Sequence, residues 1–359
     1  MIIAVDTEEL KEEPGNFLHE CLRRIIPLSP QHHFILLSRA YVLSNYKAVN
    51  NCFTILLKKK RRLPLIQEIN RILNKEKAEI IITSDLLLAA FVKTKICLLT
   101  SSLQQFPSDK VEGLFIKYLA KKVYKKASII YTAWEQDKKD IINRYKVLKD
   151  KVQIVHLGLN DVTKDLHFEQ QQIIQSKYTE GNAYFLIAHS SLTTSEFLIF
   201  LKAFSVFKKR LKSKMQLLVY CKNYNNDKVP LEKVVKDYRF KSDVLIINAN
   251  QVSPIEIFSA AYAFIFNTIK NNDINPALKS IATSSNVICL NTLIAKEIFA
   301  DAALYFDEFN VDQIADKMIT IYKDENLKKA LSVKQQERQE HFSWNLSAAD
   351  ILQGIEALG

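Results

Sequence analysis

Short apolar runs of four to six residues alternate with longer amphipathic stretches through the first half of the chain. The runs are rich in Ile, Leu and Val and predict buried strands, while apolar residues spaced three or four apart predict helices between them. The predicted strands are Ile2–Val5, His33–Leu37, Cys52–Leu57, Ile80–Thr83, Ile96–Leu99, Ser128–Tyr131 and Val152–His156. Strands that alternate with helices in this way indicate a mostly parallel sheet covered on both faces.

A second series of the same kind follows a polar, helix-capable stretch. Its predicted strands are Tyr184–Ala188, Gln216–Cys221, Val244–Ile247, Ala263–Asn267 and Asn286–Leu290. The pattern predicts an α/β protein with two doubly wound, Rossmann-like domains. We place the domains at 1–160 and 183–340, a linker region at 161–182 and a C-terminal helix at 341–359. Whether that helix crosses back to the first domain is left open.

The composition of the 359-residue chain is that of a globular protein, with 48% hydrophobic and 25% charged residues. The sequence contains no apolar run of about 18 residues and therefore predicts no transmembrane helix. Its first residues, MIIAVDTEEL, do not have the pattern of a signal peptide. The five cysteines have no metal-ligand spacing and lie mostly in apolar runs, which indicates reduced core residues. We expect a cytoplasmic protein that contains no metal.

The net positive charge of the chain is confined to its first half. Residues 1–160 contain 27 Lys and Arg against 16 Asp and Glu, whereas residues 161–359 contain 23 of each. The basic candidates are Lys58, Lys59, Lys60, Arg61, Arg62, Lys117, Lys121, Lys122, Lys125 and Lys126. Such an excess attracts an anionic membrane surface or a nucleic acid. The alternative is a solvated basic face with no partner.

The stretch 270–288 has the pattern of a phosphate-binding turn. Asn275 and Pro276 predict a helix start, with Asn as N-cap and Pro at the first helical position. An apolar strand precedes this helix and another follows it, and open α/β sheets bind phosphorylated ligands at such places. Yet the stretch contains no glycine, and the whole chain has only six. Close approach of a backbone to a phosphate usually relies on glycine, so the turn departs from the common pattern.

Several segments resemble the family 4 glycosyltransferases of the GT-B fold. The resemblance extends over nearly the whole chain and includes the following segments: Ala127–Asp161, Ala300–Met318, His341–Trp344 and the opening Ile3–Thr7 with Gly15. It implies two Rossmann-like domains that face each other across a cleft, with the acceptor on the basic N-terminal side and a nucleotide sugar on the C-terminal side. It also implies retaining transfer of a hexose to a polysaccharide or lipid-linked acceptor.

The same resemblance assigns four charged positions to the donor site, and none of them holds the residue of the family. The Arg and Lys that neutralise the diphosphate fall on Thr194 and Ser195, and two Glu that hold sugar and ribose hydroxyls fall on Asn271 and Lys279. Cations are needed there because negative charge develops on the departing diphosphate. The resemblance therefore predicts a degenerate donor site.

The remaining donor-binding candidates are Gly15, His189, Lys270, Asn271, Asn275 and Lys279. Lys270 and Lys279 are candidates for the missing positive charge, and the alternative is two solvated lysines. His189 lies at the end of a predicted strand. It either contacts the donor or forms its hydrogen bonds with neighbouring residues of the protein.

Two hypotheses of different classes follow. In the first, the chain is a hexosyltransferase that works on the inner face of the membrane with altered donor-site groups. In the second, it is an inactive GT-B relative that scaffolds a partner glycosyltransferase or a membrane assembly. A nucleic-acid partner is disfavoured because no helix-turn-helix, stacking or zinc-finger pattern accompanies the basic residues.

Overall fold

The structure is a computed structural model of the 359-residue chain. It describes residues 1–8, 10, 16–39, 49–59, 61–100, 110–160, 166, 168–189, 193–222, 224–266 and 274–359. Only the backbone is described at 110–116, 168, 189, 225 and 227–229. The chain forms two compact units: Met1–Asn160 with Phe342–Gly359, and Asp161–His341.

The described strands are β1 Ile2–Asp6, β2 His33–Ser38, β3 Cys52–Leu56, β4 Ile80–Thr83, β5 Lys95–Thr100, β6 Ile129–Thr132, β7 Val152–Ile154, β8 Tyr184–His189, β9 Gln216–Cys221, β10 Val244–Asn248, β11 Ala263–Phe266, β12 Val287–Leu290 and β13 Ala303–Phe306.

The described helices are α1 Phe17–Leu28, α2 Arg62–Lys75, α3 Leu86–Phe91, α4 Lys110–Lys126, α5 Glu135–Tyr145, α6 Phe168–Thr179, α7 Thr194–Leu211, α8 Tyr224–Lys236, α9 Pro254–Ser259, α10 Asn275–Ala282, α11 Leu293–Phe299, α12 Val311–Lys323, α13 Glu325–Gln339 and α14 Trp344–Glu356.

The first unit contains a parallel sheet with the order β3-β2-β1-β4-β5-β6-β7. Alternate residues of its central strands face opposite sides, as the pleat requires. Ala4 and Ile81 belong to one apolar cluster, and Ile3, Val5 and Ile80 belong to the other. Strand order reverses between β1 and β4, which is where open α/β sheets bind ligands.

The C-terminal helix belongs to the first unit. α14 packs against α1, and Trp344 and Ile355 join the same apolar cluster as Ile3. The Tyr131 hydroxyl on β6 donates to the carbonyl of Ile351 at 3.1 Å. The last helix is therefore part of the core of the unit in which the chain begins.

The second unit contains a parallel sheet with the order β10-β9-β8-β11-β12-β13. Its core includes a row of buried phenylalanines on α7, which repeat at helical spacing: Phe197, Phe200, Phe204 and Phe207. Here the strand order reverses between β8 and β11. The two sheets confirm the predicted pair of doubly wound, Rossmann-like domains.

The start of α10 differs from the sequence-based expectation, and the helix-capable linker region is indeed helical. α10 begins one residue early, since Ile274 is the N-cap and already has helical dihedral angles of −81° and −12°. Asn275 is thus the first helical residue and not the cap. The predicted linker region contains a full helix, α6, which packs against α9 of the second unit.

Among the residues that the structure describes, no helix is long and apolar enough to cross a membrane.

Candidate functional site

The candidate donor site lies at the carboxyl edge of the second sheet. α7 follows β8, and α10 follows β11, and these two strands are hydrogen-bonded neighbours. The two helices therefore begin near the same point of the sheet, where the strand order reverses. Helix N-termini present unpaired backbone amides and positive partial charge, which favour phosphate.

The first turn of α7 carries hydroxyl groups at the positions where the resemblance predicts cations. Thr193 caps the helix, with the Glu196 amide donating to its hydroxyl at 3.3 Å and its own amide donating to the Glu196 carboxylate at 2.7 Å. The Ser195 hydroxyl lies 2.9 Å from that of Thr193, and both Thr194 and Ser195 are exposed. The capping box orders this turn, and Thr194 and Ser195 supply no charge to a diphosphate.

Lys279 lies on α10, and its side chain reaches β9, the strand that pairs with β8. Its ammonium group is 5.6 Å from the centre of the Tyr220 ring on β9, and its side chain is half-buried. Tyr220 pairs in register with Ala188, the penultimate residue of β8. A cation is thus held beside the strand that leads into α7, close to the edge from which α7 and α10 start.

The other donor-site candidates are described only in part. Asn275 is exposed in the first turn of α10, whose N-cap residue, Ile274, provides no side-chain hydrogen bond. His189 is the last residue of β8, and only its backbone is described. Gly15, Lys270 and Asn271 lie outside the described residues.

A second polar site, which the sequence analysis missed, lies where strand order reverses in the first unit. Asp6 ends β1 and Thr83 ends β4, and the Thr83 hydroxyl donates to the Asp6 carboxylate at 2.9 Å. Asp6 is 4% exposed. Burial raises the pKa of Asp6 to about 6, against lowering by the Thr83 hydrogen bond and by Arg39. A carboxyl with such a pKa changes protonation state near neutral pH.

Two further carboxylates surround Asp6. Oxygens of Asp6, Glu8 and Asp85 lie within 4.8 Å of one another, a spacing at which carboxylates can hold a metal ion. Arg39 already forms an ion pair with Glu8, and Asp85 accepts hydrogen bonds from the Leu87 and Leu88 amides at the start of α3. These partners satisfy much of the negative charge without a metal. The signal in the sequence was a polar residue directly after each of two buried strands.

The basic residues of α4 whose side chains the structure describes are all exposed, and one of them also has a structural role. Lys117, Lys121, Lys122 and Lys125 are exposed. The Lys126 ammonium instead donates to the carbonyls of Ala89, Ala90 and Val92 near the end of α3. Burial lowers the pKa of Lys126. Lys126 is itself exposed and also fixes the end of α3, and its place on a partner-binding surface stays a prediction.

Aromatic side chains accompany the exposed lysines of α4. Tyr118 is 69% exposed on the same helix, and Phe91 of α3 is 50% exposed. The Lys122 ammonium lies 5.6 Å from the centre of the Phe91 ring. Amphipathic side chains and lysines on one surface have the composition of a membrane-interface patch. We call Phe91, Lys117, Tyr118, Lys121, Lys122 and Lys125 the α4 surface.

The basic run before α2 is ordered by a glutamate. The backbone amides of Lys58 and Lys59 donate to the Glu68 carboxylate at 2.9–3.1 Å. Arg61 is the N-cap of α2 and Arg62 is its first residue, while Lys60 lies outside the described residues. The run thus forms the entry to α2 at the carboxyl edge of the first sheet.

Sequence comparison gives one distant curated relative. No protein-family model matches the chain. The O-antigen chain mannosyltransferase RfbU of Salmonella typhimurium (strain LT2) is 22% identical over 201 residues. That match covers 56% of this chain and 52% of RfbU, so the chain spans about half the length of that relative.

Structural comparison covers nearly the whole chain. A glycosyltransferase from Rickettsia africae superposes with a TM-score of 0.74 at 15% identity, over 99% of this chain and 98% of its own. Anabaena Alr3699/HepE in complex with UDP-glucose has a TM-score of 0.71 at 9% identity, and the match covers 99% of this chain and 100% of HepE. WaaG, a glycosyltransferase involved in lipopolysaccharide biosynthesis, has a TM-score of 0.67 at 13% identity, and the match covers 98% of this chain and 100% of WaaG. Together with the two doubly wound sheets, these likenesses show that the chain has the GT-B fold.

Proposed function

We propose that the protein is a glycosyltransferase of the family 4 type. It transfers a hexose from a nucleotide-diphosphate sugar to a polysaccharide or lipid-linked acceptor, with retention of configuration and without a metal cofactor. The observation that carries the proposal is the start of α7 and α10 from neighbouring strands β8 and β11. Two helix N-termini at a strand-order reversal provide a place for a diphosphate.

The positive charge at this site comes from Lys279 in our proposal. Thr194 and Ser195 are uncharged, so the departing diphosphate is stabilised by the helix amides and by the ammonium beside Tyr220. Loss of one well-placed transition-state donor lowers a rate by about 10²–10³, and a relocated lysine recovers part of that loss. UDP-glucose, which is bound in the HepE structure, is the first donor to test.

The second candidate function is that of an inactive scaffold for a partner glycosyltransferase or a membrane assembly. It is favoured by the exposed hydroxyls at Thr194 and Ser195, where the family has cations. The scaffold forms a stable complex with another glycosyltransferase and turns over no nucleotide sugar alone. Pull-down with partner glycosyltransferases, alongside turnover assays on the isolated chain, separates the two functions.

Thermal unfolding with UDP, GDP and a panel of their sugars tests the proposal. A ligand at 100 times its dissociation constant stabilises a protein by about 2.7 kcal/mol. For domains of this size, that is a shift of roughly 5–10 °C in melting temperature. A shift with one nucleotide identifies the donor and justifies an acceptor search. No shift with any of them contradicts the proposed transferase and favours the scaffold.

We also propose that the protein works at the cytoplasmic face of a membrane, through the α4 surface. Its exposed lysines attract anionic lipid, and Tyr118 and Phe91 are suited to the interface between headgroups and acyl chains. Lipid-linked acceptors are found at that surface, so the two proposals support each other. Sedimentation with anionic vesicles is the direct test.

A further inference from the structure

The start of α7 is already occupied by a carboxylate of the protein itself. One oxygen of Glu196 accepts hydrogen bonds from the Thr193 amide at 2.7 Å and from the Thr193 hydroxyl at 2.8 Å. In return, the Glu196 amide donates to the Thr193 hydroxyl at 3.3 Å. Glu196 is half-buried. Two of the amides that open the helix therefore have partners within the protein, and one of these partners is negatively charged.

α10, the other helix that begins at the strand-order reversal, has no such group. Its N-cap residue, Ile274, provides no side-chain hydrogen bond, and its first turn contains no acidic residue. Its last turn carries Lys279, whose ammonium group lies beside Tyr220. The two helices therefore differ in the sign of the charge that they bring to the candidate donor site. α10 adds a positive charge, and α7 adds a negative one.

A carboxylate at a helix N-terminus competes with an anionic ligand for the same amides and for the positive end of the helix dipole. It also repels the ligand, and the repulsion grows with the charge of the ligand. Near pH 7.5, UDP carries more negative charge than UDP-glucose, because its terminal phosphate loses a second proton with a pKa of about 6. Glu196 therefore disfavours the free nucleoside diphosphate more than the nucleotide sugar.

We propose that Glu196 determines the ligand selectivity of the donor site. It lowers the affinity for a free nucleoside diphosphate relative to the nucleotide sugar, and so favours release of the diphosphate product. Thr194 and Ser195, which lie between Thr193 and Glu196, are neutral and add no positive charge to this turn. The roles of donor and product rest on the proposed function, whereas exclusion of a phosphate from the start of α7 does not depend on it.

Calorimetric titration of the full chain with UDP, UDP-glucose and uridine tests the inference. Glu196→Gln is the informative variant, because Gln also completes a capping box and the helix start keeps its hydrogen bonds while the charge is lost. We expect UDP affinity to rise about 10-fold, UDP-glucose affinity to rise about 3-fold and uridine affinity to stay unchanged. A role confined to helix capping predicts no change for any of the three ligands.

Asp312→Asn is the matched control. Asp312 is exposed in the first turn of α12, which follows β13 at one end of the same sheet. β13 is three strands from β8, about 14 Å at the usual strand spacing, and charges at that separation are largely screened at physiological salt. Asp312→Asn makes the same change of charge as Glu196→Gln and should leave all three affinities unchanged.

Glu196→Ala separates the charge from the cap. It removes both, so it should lower the melting temperature of the chain, which Glu196→Gln should not do. The ratio of UDP affinity to UDP-glucose affinity should nevertheless rise in both variants, because both lose the carboxylate.

Two results overturn the inference. They are UDP binding that Glu196→Gln leaves unchanged, and an equal change for UDP and UDP-glucose. Either result leaves the proposed transferase in place, because the nucleotide still binds. If no nucleotide binds, titration with inorganic pyrophosphate separates the two proposals. Pyrophosphate that binds Glu196→Gln but not the unmodified chain would support exclusion by Glu196 while contradicting the proposed transferase. Pyrophosphate that binds neither chain, or both equally, would overturn both.

Discussion

The indole ring of Trp344 lies directly against the backbone of Gly158. A β-carbon built on Gly158 would be 2.3 Å from Cγ and Cδ2 of that ring. The indole N–H of Trp344 donates to Asn160 at 2.8 Å, and the Leu159 amide donates to the carbonyl of Phe342 at 2.9 Å. The start of the C-terminal helix is thus fixed to the last residues of the N-terminal part of the first unit.

Gly158→Ala should destabilise the first unit. The added methyl group has no space beside the Trp344 ring, and overpacking of this kind costs about 1–3 kcal/mol. Chemical denaturation followed by tryptophan fluorescence measures the change. Gly359→Ala is the matched control, because its methyl group meets only the side-chain end of Met1. Equal stability of the two variants would show that Trp344 does not pack closely on Gly158.

Installing the family's cations on α7 should strengthen nucleotide binding. Thr194→Arg with Ser195→Lys adds two positive charges to an exposed first turn that has none at these positions. We expect UDP affinity to rise about 10-fold, against a helix cost of about 0.3–1 kcal/mol per cation. The control is Thr194→Gln with Ser195→Gln. An equal effect of both pairs in calorimetry would mean that charge at these positions does not reach the nucleotide.

Removing the ammonium group of Lys279 should weaken nucleotide binding. Lys279→Gln is expected to lower UDP affinity about 10-fold, the effect of losing about 1.4 kcal/mol. Lys214→Gln makes the same charge change just before β9, at the opposite edge of the sheet, and should have no effect. Lys279→Glu separates two roles. Lys279→Glu should raise turnover if the site lacks the carboxylate that the family has at this position. It should lower UDP affinity below that of Lys279→Gln if Lys279 has become the phosphate ligand.

The buried carboxyl of Asp6 should make stability fall as pH rises. Its pKa is about 6 in the folded chain against 3.8 for the ordinary group. The stabilisation from the protonated form is fully present below about pH 4 and is lost as pH rises through about 6. A shift of this size is worth about 3 kcal/mol.

Asp6→Asn tests this dependence, because it keeps an acceptor for the Thr83 hydroxyl but does not titrate. The free energy of unfolding of the variant, relative to the unmodified chain, should increase between pH 4 and pH 7.5. The difference in unfolding free energy between Asp6→Asn and the unmodified chain at pH 3.5 measures the effects of the substitution that are unrelated to charge. A difference that stays constant across this range would contradict a raised pKa at Asp6.

Neutralising the α4 surface should release the protein from anionic vesicles. Lys117→Gln, Lys121→Gln and Lys125→Gln together remove three exposed charges, each worth about 1 kcal/mol at such a membrane. We expect binding to fall about 100-fold at low salt and to weaken with added salt. The control carries Lys202→Gln, Lys209→Gln and Lys212→Gln on or beside α7. Equal losses in sedimentation would show that net charge alone drives binding.

The alternation of apolar runs and amphipathic stretches was enough to predict two doubly wound, parallel-sheet domains. A strand buried on both faces requires a continuous run of apolar residues, and that requirement is local. Short elements leave a weaker pattern in the sequence. Strand β13 and helices α3 and α11 were not predicted, because four to seven residues provide too little periodicity.

Donor-site residues could be predicted from the sequence where they follow one strand or lie near one helix start. Thr194, Ser195 and Lys279 were singled out in this way, through the family resemblance and the turn before α10. The contact of Lys279 with Tyr220 was not visible, since 59 positions separate them in the chain. The side chain of a helix residue meets a strand only after the order of strands is set.

The sequence by itself determined most of the strands, most of the helices and the confinement of the net positive charge to the first half. Only the tertiary structure decided which strand ends meet. Asp6 and Thr83 are 77 residues apart, and they form a buried hydrogen bond because β1 and β4 are neighbours in the sheet. Strand order depends on long-range packing of helices on both faces, which no single segment encodes.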